Sequence, residues 1–269
     1  MFGRLHRIDL RTVVGLTGGI ATGKSTVTTL LRSHGLPVVD LDDISRVVVE
    51  KGTPTLGKLV SAFGKEILNE DGTLNRAELG RIVFGKPEKV QILNRITHTA
   101  IRRRMAWYLF LCWITGSRRV VVDSPLLIEA GLWKWVGEVV LVYTTEEQQF
   151  ARMLHRDQYV KQLTVEDARA RLSSQVPIMT KTAYADVILD NSMDAVGFSS
   201  PLLRDEVEAM VQRWDQEDHA FFGTISWLLC WLLPPVGLLW GFIVVCLHTR
   251  RLDIQQQQQA SYVKASKRE

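Results

Sequence analysis

Gly18, Gly19, Ile20, Ala21, Thr22, Gly23, Lys24 and Ser25 follow the pattern G-x-x-x-x-G-K-[ST], a spacing suited to polyphosphate. Successive backbone N–H groups at a helix N-terminus bind a multiply charged anion with little reorganisation. The glycines let the main chain wrap closely round oxygen atoms, and Gly18 and Gly23 are candidates for dihedrals closed to other residues. Lys24 would reach the β- and γ-phosphates of ATP. The Ser25 hydroxyl would ligate Mg²⁺, with Thr26 completing the nucleotide-binding set. The competing explanation is a glycine-rich turn without ligand. It is disfavoured because an apolar run at 13–16 precedes the loop and Val27, Leu30 and Leu31 follow with helical spacing.

Further groups could serve the same chemistry. Asp40 and Asp42 follow a second apolar run. Phosphoryl transfer needs one carboxylate to take the acceptor's proton and others near the metal's water shell. A plainer role is open too, in which Asp42 or Asp43 caps a helix beginning at Ile44. Asp123 ends a third run, where a Mg²⁺-shell carboxylate would stand, unless it is only a turn residue before Pro125. Arg152 and Arg156 are spaced i, i+4 and could close over transferring phosphates, or line a solvated helix face. His98 and Arg102 share a face in the same way.

The elements that must position these residues are legible from periodicity. Short apolar runs at 13–17, 38–40, 120–123, 139–143 and 187–189 read as buried strands of a parallel sheet. Helical patterns lie between them at 24–33, near 87–114, at 146–156 and at 164–175. The last opens on Thr164 with Asp167 three residues on, a loose capping box. Strands alternating with helices predict an open α/β sheet with its ligands beyond the carboxyl ends of the strands. Residues 44–115 form a mostly helical insertion long enough to make a lobe.

Composition narrows the class. The chain has 269 residues, 46% of them hydrophobic, enough for a substantial core. Cys112, Cys230 and Cys246 show no paired spacing, against a disulfide framework or structural zinc. The net charge is +4, but residues 248–269 hold five Lys/Arg against two acids, leaving about +1 for the rest. Such a body argues against nucleic acid as a partner. Residues 1–11 read as an N-terminal extension. Arg4, Arg7 and Arg11 occur without an apolar stretch, so no secretory signal is expected, while mitochondrial association stays open.

The strings VVGLTGGIATGKSTV, GLPVVDLDDISR, GTLNRAELGRIVF, LNRITHTAIR, VVVDSPLLIEAGL, ARMLHRD and ADVILDNS run in order from about 12 to 193. Together they resemble the dephospho-CoA kinase family. The resemblance implies a phosphate-loop kinase at 12–218 with a three-layer parallel sheet, a CoA-binding lobe near 44–115 and a lid near 150–175. It implies ATP and Mg²⁺ as cofactors and dephospho-CoA as the substrate phosphorylated at its ribose 3′-hydroxyl. It assigns 18–25 to ATP and makes Asp42 the catalytic carboxylate, beside Lys24 and Arg156. Arg46, Arg76, His98 and Arg102 fall on its CoA-lobe motifs, and Arg152 and Arg156 on its lid. Three departures stand out: Thr99 where the family has proline after the histidine, Ile128 where it has phenylalanine, and Leu41 where it has a small residue. Leu41 could narrow the acceptor pocket, and the missing proline leaves the position of His98 open.

Residues 220–247 are a separate signal: 28 residues without Asp, Glu, Lys or Arg. A straight helix of that length would reach ~42 Å, more than the ~30 Å hydrocarbon layer. Trp227, Trp231 and Trp240 suit interfacial anchoring. A hydrophobic helix or hairpin at 219–248 is expected to meet membrane lipid, with Pro234-Pro235 able to kink a span or turn a hairpin, followed by a polar tail at 249–269. A hairpin packed on the kinase is the alternative. The apolar stretch 105–115 is too short to span. Competing functions are a nucleoside or nucleotide kinase of the same fold and an inactive nucleotide-binding membrane adaptor.

Overall fold

The computed structural model describes residues 13–161, 164–192 and 201–219, together with Thr224, Ile225, Trp227, Leu228 and Trp231; for 157–161 and Pro201 it describes the backbone alone. Five strands, β1 (Val13–Gly18), β2 (Val38–Asp40), β3 (Val120–Asp123), β4 (Glu138–Tyr143) and β5 (Val187–Asp190), form one sheet in the order β2-β3-β1-β4-β5. β1 pairs in parallel with both its neighbours: Leu16 lies opposite Asp123 on one side and Val140 on the other. β4 pairs with β5 through Val140 and Val187. Each strand begins within a residue of its expected start, because strands covered on both faces must be continuously apolar.

Around the sheet run α1 (Lys24–Ser33), α2 (Leu41–Val47), α3 (Pro54–Phe63), α4 (Arg76–Val83), α5 (Pro87–Ile114), α6 (Glu146–Lys161), α7 (Val165–Ser173), α8 (Ile178–Thr182) and α9 (Pro201–His219). The chain divides into two compact units, 1–38 with 113–269, and 39–112.

In the first unit, alternation along β1 sends Val14 and Leu16 to one face. There they join Val27 and Leu31 of α1 and Leu203, Val207, Met210 and Trp214 of α9 in one buried cluster. The other face is covered differently. A Cβ on Gly15 would meet Leu127 Cδ2 at 2.6 Å and Val136 Cγ2 at 3.1 Å, so these two side chains of the 125–136 segment pack directly on the strand. Thr17 Oγ1 donates to the Pro125 carbonyl (3.4 Å), and the fully buried Lys181 of α8 donates to the same oxygen (3.0 Å) while pairing with Glu129 (2.8 Å). Helix, sheet and covering segment make three layers.

At the amino edge of the sheet a buried ionic network fastens α9. Arg119, just before β3, bonds both Asp218 oxygens (2.9 and 3.0 Å) and Glu217 (2.9 Å). Glu138, the first residue of β4, accepts from Arg213 (2.6 Å) and from the Trp214 indole (3.0 Å). Arg118 donates to the Asp218 carbonyl and stacks over the Trp227 ring at 5.2 Å. Buried charges persist only when paired and hydrogen-bonded in this way.

The second unit is built from α2–α5, around Leu56, Leu59, Phe63, Ile67, Leu79 and Val83. Much of the string GTLNRAELGRIVF is structural: Gly72 (φ 79°) turns the chain, and Asn75 caps α4 by accepting the Glu78 amide (3.0 Å). A correction concerns α2. It starts at Leu41, not Ile44, and its cap is Asp40, whose Oδ1 accepts the amides of Asp42 (2.8 Å) and Asp43 (3.2 Å). Cap geometry favours the residue whose extended backbone (φ −82°, ψ 115°) lets its carboxylate fold back over the first turn. Asp40 is thereby committed to the fold, whereas Asp42 and Asp43 stand exposed in that turn.

Two helices differ in extent from their patterns. α6 runs on to Lys161 instead of stopping at 156, and α7 closes at Ser173, capped by Thr164 accepting the Asp167 amide (3.1 Å). Thr99 explains why α5 is unbroken. It supplies the N–H that proline lacks, and its hydroxyl bonds the Arg95 carbonyl (2.7 Å). Leu41 turns inward, 5% exposed, and so does Ile128 at 7%. Most of the apolar segment 220–247, on which the membrane expectation rests, lies outside the described residues, as do residues 1–12. Among the described residues, no helix is long and apolar enough to cross a membrane.

Candidate active site

β1 ends at Gly18, the chain wraps through Gly19–Gly23, and α1 begins at Lys24. Gly23 is the N-terminal flank of α1 with φ 91°, a left-handed conformation that any Cβ would oppose. Gly18 has no positive φ. It needs room instead, since a Cβ there would sit 2.6 Å from Thr22 Oγ1. No side chain caps α1 and no acid occupies its first turn. A helix end left without a capping side chain keeps orphan N–H groups and a partial positive charge for an anion.

Lys24, 18% exposed, pairs with Oδ1 of Asp123, itself 2% exposed at the end of β3. The other oxygen of Asp123 accepts from Thr28 Oγ1 at 2.6 Å. Asp123 is therefore a buried carboxylate with two donors, not a turn residue ahead of Pro125. Ser25 is exposed on the first turn.

Three residues that the sequence did not single out hold the loop from behind. Gln149 of α6 donates to the Ile20 carbonyl (2.7 Å), Gln175 accepts the Ile20 amide (3.0 Å), and Asn191 donates to the Thr22 carbonyl (2.8 Å). Arg152 donates through Nη2 to the Asn191 carbonyl (2.8 Å). Among the described residues its Nη1 is buried without a hydrogen-bond partner, and burial lowers its guanidinium pKa below the usual value. A buried donor without an acceptor, linked through Asn191 to the Thr22 carbonyl of the loop, fits an anion that completes the site. Arg156, one turn on, is exposed.

The structure thus gathers 18–26, Asp123 and Arg152 in the first unit. Asp42, Arg46, Arg76, His98 and Arg102 belong to the second, all on exposed positions. Arg46 makes a surface ion pair with Asp43 (3.6 Å). Arg76 is the first residue of α4, and Arg102 donates from Nε to the His98 carbonyl (3.3 Å), which confirms their shared stretch of α5. Burial pushes the Cys112 thiol up, away from the thiolate form.

The sequence model of the family described as dephospho-CoA kinase matches residues 12–196. The chain belongs to the dephospho-CoA kinase family. Its activity is that of this family: ATP phosphorylates the ribose 3′-hydroxyl of dephospho-CoA. The chain is 46% identical over 179 residues to a dephospho-CoA kinase of Shouchella clausii, covering 66% of this chain and 89% of that one. It is 43% identical over 180 residues to the dephospho-CoA kinase of Oryza sativa, with 67% and 76% covered. A solved dephospho-CoA kinase from Campylobacter jejuni superposes with a TM-score of 0.58 at 29% identity, covering 77% of this chain and 98% of that one. The family match extends over loop, Asp123, Arg152 and Asn191 alike.

Proposed function

We propose that residues 18–26 hold the ATP phosphates and that Asp42 receives the proton of the dephospho-CoA 3′-hydroxyl. As that proton leaves, the 3′-oxygen bonds to the γ-phosphorus, the bond from phosphorus to the β,γ-bridging oxygen breaks, and ADP departs. The observation that carries the reading is the Lys24–Asp123–Thr28 cluster beside an uncapped helix end. The Ser25 hydroxyl and Asp123 suit Mg²⁺, which keeps several waters and takes only one or two protein oxygens. Bound there, Mg²⁺ would neutralise charge on the β- and γ-phosphate oxygens. Arg46, Arg76, His98 and Arg102 offer cations and a hydrogen-bonding ring to the phosphates and adenosine of dephospho-CoA. Residues 150–175, with Arg152 and Arg156, act as the lid.

An acceptor panel with γ-labelled ATP tests this. Label should pass to dephospho-CoA and not to nucleosides or nucleoside monophosphates. Transfer to a nucleoside would favour the nucleotide-kinase alternative, and no transfer at all would favour an inactive adaptor.

Arg156→Ala should lower kcat about tenfold to a hundredfold with little change in either KM, as expected for a donor engaged mainly with charge that develops on the γ-phosphoryl oxygens. A change confined to KM would make Arg156 a ground-state clamp.

For residues 220–247 we favour attachment to a membrane, supported by the 28-residue run without Asp, Glu, Lys or Arg. The protein should stay with the membrane pellet through a carbonate wash. An epitope after Glu269 should resist protease outside sealed vesicles if the segment spans, and be cut if it turns back at Pro234-Pro235. Release by carbonate would refute attachment in either form.

A further inference from the structure

Gln149 is 3% exposed and Gln175 half-buried, and both spend their carboxamides on one residue of the loop. The Ile20 carbonyl takes the Gln149 amide at 2.7 Å, and the Ile20 N–H gives to Gln175 Oε1 at 3.0 Å. Ile20 is thus gripped on both sides of its α-carbon, from α6 and from the turn after α7. Two residues on, Asn191 holds the Thr22 carbonyl at 2.8 Å. Between these anchors sits Ala21, whose φ of 59° is the sole positive value at a non-glycine among the described residues. An L-residue disfavours that region about fivefold to thirtyfold in population. It persists there only where its surroundings over-determine it.

We propose that Gln149 and Gln175 are positioning residues for ATP. By fixing Ile20 they keep Ala21 left-handed, so the N–H groups of the loop are aimed before nucleotide arrives. Carboxamides suit the task, since each offers both an NH2 donor group and a carbonyl acceptor without bringing negative charge near the phosphates. Gly19 belongs to the same device: a Cβ there would stand 2.2 Å from Gln149 Nε2. The side chains of Ile20 and Ala21 pack beside Met153, Phe150 and Leu172, so the grip joins the loop to α6 and α7. This inference rests on reading 18–26 as the ATP-phosphate site.

The test uses the full chain with Gln175→Met and Gln149→Met, which keep length and remove the amide. KM for ATP should rise about fivefold to thirtyfold, while kcat at saturating ATP and KM for dephospho-CoA stay within about twofold. Adding Ala21→Gly should return most of the loss, measured against Ala21→Gly alone, because glycine enters the left-handed region without the penalty. Gln149 is buried, so thermal unfolding is followed in parallel; Gln175→Met, at the less buried position, carries the test if Gln149→Met does not fold. An unchanged KM for ATP in Gln175→Met overturns the proposal. So does a raised KM that Ala21→Gly fails to restore, since the grip would then act through something other than Ala21. Lys24→Ala is the control: if it binds ATP as tightly as the parent, the phosphate-site reading itself is at fault.

Discussion

Lys24→Ala should cut kcat roughly a hundredfold to a thousandfold, the scale on which removing one preorganised donor from a charge-developing site is felt. The lysine is the first residue of α1, whose start has no capping side chain, and its partner Asp123 is 2% exposed. Removing it therefore does two things. The β- and γ-phosphates lose a positive charge, and a buried carboxylate keeps Thr28 as a donor but loses its cation. The second effect lowers thermal stability, as breaking a buried ion pair does. Rates must accordingly be compared at a temperature where circular dichroism shows both proteins folded. Parent-like turnover by the folded variant would sink the assignment of the loop.

Asp42→Asn is expected to lose about a hundredfold to ten-thousandfold in kcat while ATP affinity is retained. The amide reproduces the shape of the carboxylate but cannot accept the hydroxyl proton. Asp42 is exposed, so stability should move by less than about 1 kcal/mol, the scale of a first-turn charge acting on the helix dipole. Asp40→Asn makes an informative partner variant. Asparagine caps a helix about as well as aspartate, so that change should be nearly silent in both stability and turnover. If Asp40→Asn loses activity and Asp42→Asn keeps it, the proton acceptor has been misassigned.

The contrast between these two aspartates shows where sequence reading reached its limit. All five strands were legible because a sheet covered on both faces demands unbroken apolar runs, and α1 and α5 ended where their periodicity ended. Helix starts are set by finer geometry. Whether Asp40, Asp42 or Asp43 caps α2 depends on one backbone dihedral, and a string of three acids looks alike from either side of it. The loop, Asp123 and the i, i+4 arginines were visible as types at spacings. Gln149 and Gln175 were not, because an uncharged amide meeting a main-chain carbonyl or N–H 129 or 155 residues away leaves no local pattern. Asn191 had a faint signal, since it follows the last strand at the carboxyl edge, where ligands of such sheets gather.

The ionic fastening of α9 has a spatial consequence for the region beyond it. Asp218 and Glu217 are held by Arg119 at the start of β3, whereas the phosphate loop leaves the opposite end of the neighbouring strand. A strand of this length separates its two ends by roughly 15–20 Å. The polypeptide thus departs toward residue 220 from the side of the sheet remote from Lys24 and Gly23. The last turn of α9 and the uncapped start of α1 therefore stand at opposite ends of the sheet, and Arg119 acts on the loop only through the strands between them.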